Sequence, residues 1–224
     1  MSGARFPASV EAARSGPIQA AHEKRVVKGA GHGETGPAEK RIIVGYGFWI
    51  FLLSDIVMFS GFFAAYAVLQ GSTNGGPTAR QIVDIPRVAV ETAALLLSSF
   101  ACGLSYAATL AKNRFWTQAF LAVTGILGLV FVLMEAQEFA ELVMKGATPQ
   151  RSGFLTAFFS VVGCHGLHVS AGILWLLTMM AQLQVKGFRQ EIVHRLLCFN
   201  LFWHALDIIW VALFSIVYLL GAGS

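Results

Sequence analysis

Eight ionisable side chains stand inside long apolar stretches of this chain: Asp55, Glu91, Glu135, Glu138, His165, His168, His204 and Asp207. A charge at the centre of a membrane helix costs about 2.5–3.5 kcal/mol on insertion scales, so each such group needs a partner or a task. Three chemistries use residues of this kind. The pairs His165/His168, His204/Asp207 and Glu135/Glu138 are each three residues apart and so share a helix face. Carboxylates and imidazoles on facing helices are how bundles hold iron or zinc. The spans hold few imidazoles for a di-iron centre, however, and the glutamates sit at a different depth from the histidines. Such groups can also relay protons. The pattern favours a third reading, a polar core whose members bond to one another and hold helices together. Asp207, one turn from His204, is placed to fix that imidazole. Ser54, Ser160 and Ser170 lie near these residues, but no G-x-S-x-G, Walker loop or dinucleotide fingerprint is present. The sequence therefore predicts no catalytic, cofactor-binding or metal-ligating set.

The elements that position these residues follow from the apolar runs. Crossing a bilayer takes about 20 apolar residues. Five stretches meet that requirement, at 42–70, 88–111, 115–143, 154–185 and 194–220, giving an all-α polytopic membrane domain over 42–224. Short links between them make consecutive helices antiparallel neighbours. At a rise of about 1.5 Å per residue, Asp55, His165, His168, His204 and Asp207 fall near the membrane midplane, roughly 15–21 Å in from a surface. Glu91, Glu135 and Glu138 fall nearer one end. Gly61, Ala64 and Ala65 give the first helix a small face. Gly163, Gly166, Ser170 and Gly172 mark the fourth as the most tightly packed, because small residues let backbones approach in lipid.

Composition agrees. Charged residues make up 12% and hydrophobic ones 56%, against roughly 25% charged in soluble domains. Residues 1–41 form a polar segment with His22 and His32 and no apolar run, read as a disordered tail. Of the 16 Lys and Arg residues, twelve lie in this tail and in the second and fourth links, on one side of the membrane. That places the N-terminus in the cytoplasm and the C-terminus outside. It also explains the net charge of +4 without a nucleic-acid partner. Cys102, Cys164 and Cys198 are read as small buried hydrophobes.

Three ordered segments resemble a known family: GFWIFLLSDIVMFSGFFAAY, RSGFLTAFFSVVGCHGLHVSAG and LFWHALDIIWVALFSIVYLLG. They are similar to subunit III of the haem-copper terminal oxidases, and HGLHV and WHALDIIW are the most specific of them. The likeness runs from about Gly45 to Gly221. Its five spans, without two further helices in front, resemble the form found in bacterial cytochrome bo-type ubiquinol oxidases. The resemblance implies a split bundle enclosing a lipid cleft. It also implies a non-catalytic subunit that carries no cofactor, bound to structural phospholipids and to subunits I, II and IV, with haems and copper in subunit I. It implies location in a bacterial inner membrane. By the same resemblance Asp55 stands where the family has an acid near the proton-uptake path of subunit I. Glu91 and Glu135 fall where some relatives carry amides. His165, His168, His204 and Asp207 would form an interhelical hydrogen-bond set beside the cleft. Subunit III of a cytochrome c oxidase or nitric oxide reductase, and a free-standing proton-conducting transporter, are the alternatives.

Overall fold

In the computed structural model the described residues are 40–73, 75 and 84–220, and no strand occurs among them. Helix α1 spans Lys40–Leu69, α2 Ile85–Leu110, α3 Arg114–Met144, α4 Gly153–Lys186 and α5 Gln190–Leu213. The last of these widens into a π-helix over Phe214–Leu220. All five helices are long and apolar enough to cross a membrane, so the chain is a multi-pass membrane protein. Residues 1–39, with His22 and His32, lie outside the described residues, as does most of the first link.

Local chemistry sets the helix ends. Pro86 sits in the first turn of α2, where a missing N–H costs nothing. The helix therefore begins three residues ahead of the apolar run. The Asn113 side chain accepts from the Trp116 N–H at the start of α3, and Ser152 does the same for Leu155 at the start of α4. Gly187, at φ +66°, stops α4 in a conformation that a Cβ would strain. Only three residues separate α2 from α3, and the turn closes through Lys112 at φ +54°. Helix α5 starts at Gln190, four residues before the apolar run, because a polar first turn can remain helical outside the hydrocarbon.

Helix α2 runs along α3, α3 along α4, α4 along α5, and α5 back along α2, closing a four-helix ring. The apolar window of α2 is 50% buried and that of α4 39%, so α2 and not α4 is the most enclosed helix. Helix α4 turns Leu167, Leu174 and Leu177 outward. Its glycines receive neighbouring side chains on the other face only. Helix α1 is different: its window is 11% buried. It leans on α4 and α5 through side-chain tips, with Phe48 against Trp175, Phe51 against Phe202 and Tyr66 against Phe154. A bond from the Tyr66 hydroxyl to the Val217 carbonyl, 3.2 Å, adds to these. The small face expected to pack α1 is open, and a Cβ added at Gly61 would meet nothing within 4 Å. Small residues permit close approach but do not say which helix will make it.

Candidate functional site

Two tryptophans seven residues apart project from one face of α5 and fix the ring from which the polar residues hang. Trp203 donates from Nε1 to the Ser98 hydroxyl on α2 at 2.9 Å. Its ring fills the space over Gly128 of α3 and Gly172 of α4, where an added Cβ would come within 2.9 Å of it. Trp210 donates to the Thr92 hydroxyl on α2 at 3.0 Å. Asn200 adds a bond to the Cys102 carbonyl at 3.1 Å. Each of these satisfies a polar group that lipid could not.

At the contact of α1 with α4, His168 Nε2 lies 3.8 Å from Asp55 Oδ1. The other ring nitrogen, Nδ1, is 2.8 Å from the carbonyl oxygen of Cys164 on its own helix, so Nδ1–H is the donor there. Nε2 then carries the lone pair of the neutral ring. A proton on Nε2 or on the Asp55 carboxyl is what would bond the pair. Phe59 of α1 covers the His168 ring at 5.5 Å, and Asp55 Oδ2 is buried with no hydrogen-bond partner. On the other flank of α1 a cavity of about 510 Å³ opens between α1 and α5. Trp49, Ile56 and Phe63 line it from α1, and His204, Ile208 and Ala212 from α5.

His165 faces the centre of the ring, fully buried. Trp210 lies along it at 5.1 Å and Phe131 stands edge-on at 5.7 Å. Neither ring nitrogen has a hydrogen-bond partner among the described residues. His204 bonds through Nδ1 to the Asn200 carbonyl of its own helix at 2.8 Å. Asp207 faces Ser99 of α2, with Oδ1 unpartnered. The expected interhelical bond set among His165, His168, His204 and Asp207 is therefore not what the structure holds. Helix rotation points the four in different directions, and the two imidazoles that bond do so to carbonyls one turn back.

Glu91, Glu135 and Glu138 are all buried at the end of the ring where α2 begins and α3 ends. Arg87 closes that end. It donates to Glu141 at 3.0 Å and to the Met134 carbonyl at 3.2 Å, and its Nε stands 3.9 Å from Glu91. Among the described residues, no three of His, Cys, Asp or Glu converge closely enough to hold a metal ion. All three cysteines are free. Only Cys102 is buried as expected; Cys164 and Cys198 are half-buried.

Comparison with known proteins decides the family. Residues 22–222 match the family described as Cytochrome c oxidase subunit III. The chain belongs to that family. This subunit III relative is 47% identical over 177 residues to a Pseudomonas aeruginosa protein named Cytochrome bo(3) ubiquinol oxidase subunit 3, a match covering 79% of the chain and 85% of the relative. It is 39% identical over 177 residues to the protein of that name from Buchnera aphidicola of Acyrthosiphon pisum, with 79% and 86% covered. It is 37% identical over 182 residues to the Quinol oxidase subunit 3 of Bacillus subtilis, with 80% and 87% covered. Within the subunit III fold seen here, HGLHV supplies one imidazole to the ring centre and one to the α1 contact, and WHALDIIW supplies the bonds to α2. Sequence reasoning passed over Trp203, Trp210, Arg87 and Tyr218. The spacing of seven between the tryptophans could have revealed the first two. Nothing in the sequence marks the π-helical turn that directs Tyr218 inward.

Proposed function

We propose that this chain is the non-catalytic subunit III of a cytochrome bo-type ubiquinol oxidase, a proton-translocating terminal oxidase of aerobic respiration. What carries the proposal is the 47% identity to a relative of that name over most of both chains. In this reading subunit I holds the haems and copper, subunits II and IV complete the complex, and this chain stabilises subunit I and supports its proton uptake. Asp55 and His168 are the pair through which it would act on uptake, because they join the loosely held α1 to the ring at mid-depth. His165, His204, Asp207, Glu91 and Glu135 serve the packing and hydration of the ring. The α1–α5 cavity, about 510 Å³ and lined almost wholly by apolar atoms, has the size and chemistry for phospholipid acyl chains. The excess of Lys and Arg on the side of the tail and of the second and fourth links supports a bacterial inner-membrane protein with its N-terminus, and the polar segment 1–41, in the cytoplasm.

The test is capture of the full chain through a tag in mild detergent, followed by an optical spectrum and a quinol oxidation assay. Recovery of a haem-bearing partner that oxidises ubiquinol is the expected outcome. A partner that oxidises cytochrome c or reduces nitric oxide would move the chain to another branch. Recovery of the chain alone, conducting protons in liposomes, would overturn the assignment. Lipid analysis of the captured complex tests the cavity: Ala212→Phe should displace retained phospholipid without releasing the partner.

A further inference from the structure

The glutamates at the Arg87 end present a problem in donors and acceptors. Both oxygens of Glu91, both of Glu138 and Oε2 of Glu135 are buried without a hydrogen-bond partner among the described residues, and so is the Tyr218 hydroxyl. Tyr218 enters from the π-helical end of α5, fully buried, with its ring 6.2 Å from Trp210 and 6.0 Å from Phe158, and Glu138, Glu135, Glu91 and Tyr66 are the titratable groups near enough to act on it. Ionised carboxylates only accept hydrogen bonds. Among the described residues the cation beside them is Arg87, which already donates to Glu141 and to the Met134 carbonyl and reaches Glu91 only at 3.9 Å. Asp84 adds a further acid at the mouth. On the α4 side Glu135 packs against the backbone at Gly166, where an added Cβ would come within 2.9 Å of its Oε2. Leaving such groups unpaired in an apolar interior is costly, the more so when they are charged. Tyr218 supplies one donor; the others must be protons on the carboxyls themselves or groups beyond the described residues. Direct chelation of a metal ion does not fit, because no three acids or imidazoles among the described residues converge on one point. Water fits, since it supplies donors and bridges groups too far apart to bond directly, and a buried water typically makes about three bonds.

We propose that Glu91, Glu135, Glu138 and Tyr218 form an internal water site behind the Arg87–Glu141 pair, and that its carboxyls share exchangeable protons through that water. The charged and titratable groups around it among the described residues are Asp84 just before α2, Arg87 and Glu91 from α2, Glu135, Glu138 and Glu141 from α3, His165 from α4, Tyr218 from the end of α5 and Tyr66 from α1. Arg87, partly exposed, and Glu141, about half exposed, separate the site from the aqueous phase.

Two measurements on the purified complex test this. Infrared spectroscopy reads the carbonyl stretch of protonated carboxyl groups. The intact protein should show a band that shifts on transfer to heavy water. Glu91→Gln and Glu138→Gln should each remove part of it, and Arg87→Gln should speed the exchange. An unchanged band in both glutamine variants overturns the proposal. High-resolution electron microscopy of the unaltered protein covers the case in which the variants fail to assemble. Ordered solvent between Glu91, Glu138 and Tyr218 is expected there. A dry pocket with carboxyls bonded directly to each other, or a cation bound in stoichiometric amount by elemental analysis, overturns the proposal as well. The outcome is independent of which oxidase the chain joins.

Discussion

Helices α1 and α2 are both apolar spans of ordinary length, yet the molecule holds them in opposite ways. Helix α2 is bonded into the ring through Ser98, Thr92 and the Cys102 carbonyl, each meeting a donor from α5. Helix α1 touches the rest through ring edges, one carboxylate–imidazole approach and one tyrosine hydroxyl. It leaves a cavity on one flank and an open small-residue face elsewhere. Lipid tails are as apolar as leucine, so apolar burial alone does not draw membrane helices together. Close packing and satisfied polar groups do, and α1 has little of either. A loosely held helix can respond to lipid or to a neighbouring subunit, and a firmly held one can carry buried charge.

The contrast can be broken most severely at Trp203. Trp203→Ala removes a ring that fills space between three helices, and a loss of about 3–5 kcal/mol is expected. Thermal unfolding of the purified complex should show it as a large fall in midpoint. If the midpoint holds, the ring is not what closes the bundle. Gly172→Ala should act next, at about 1–3 kcal/mol, because its methyl would press on the same ring. Adding Trp203→Phe to it should relieve part of that strain, and purely additive losses would separate the two sites. At α1 the effects shrink. Asp55→Asn or His168→Ala should cost about 0.6–1.7 kcal/mol, the range of interhelical polar contacts in membranes. They should release α1 to limited proteolysis before the ring melts. Gly61→Ala should leave the stability of the isolated chain unchanged to within about 0.5 kcal/mol, as for other open sites. A larger effect seen only in the complex would show that a partner covers this face.

The five helices were legible because a membrane span announces itself by length and composition, whatever its neighbours. Ends outside the apolar run, at Pro86 and Gln190, were less so, since helix can continue into polar sequence. The polar residues were legible as a set but not as an arrangement. Spacing shows that His165 and His168 share a helix surface, but not that one faces the ring centre and the other α1. Rotation of α4 decides that, and packing around Trp203 and Trp210 sets the rotation. Likewise the glutamates were placed at one end by depth alone. That Glu91 and Glu138 meet no donor among the described residues depends on Arg87 turning to Glu141, a choice among acids that sequence leaves open. The small residues of α1 suggested a contact that is not made among the described residues.

The three-residue turn at Lys112 has a consequence for how the protein is made. Helices α2 and α3 are joined closely enough to enter the bilayer together as one hairpin. That hairpin carries Glu91, Glu135 and Glu138. Three acids that would each burden a lone span can thus be shielded from hydrocarbon by each other's helices from the moment of insertion. Lengthening the turn with a flexible spacer should lower the yield of inserted chain in a membrane-integration assay.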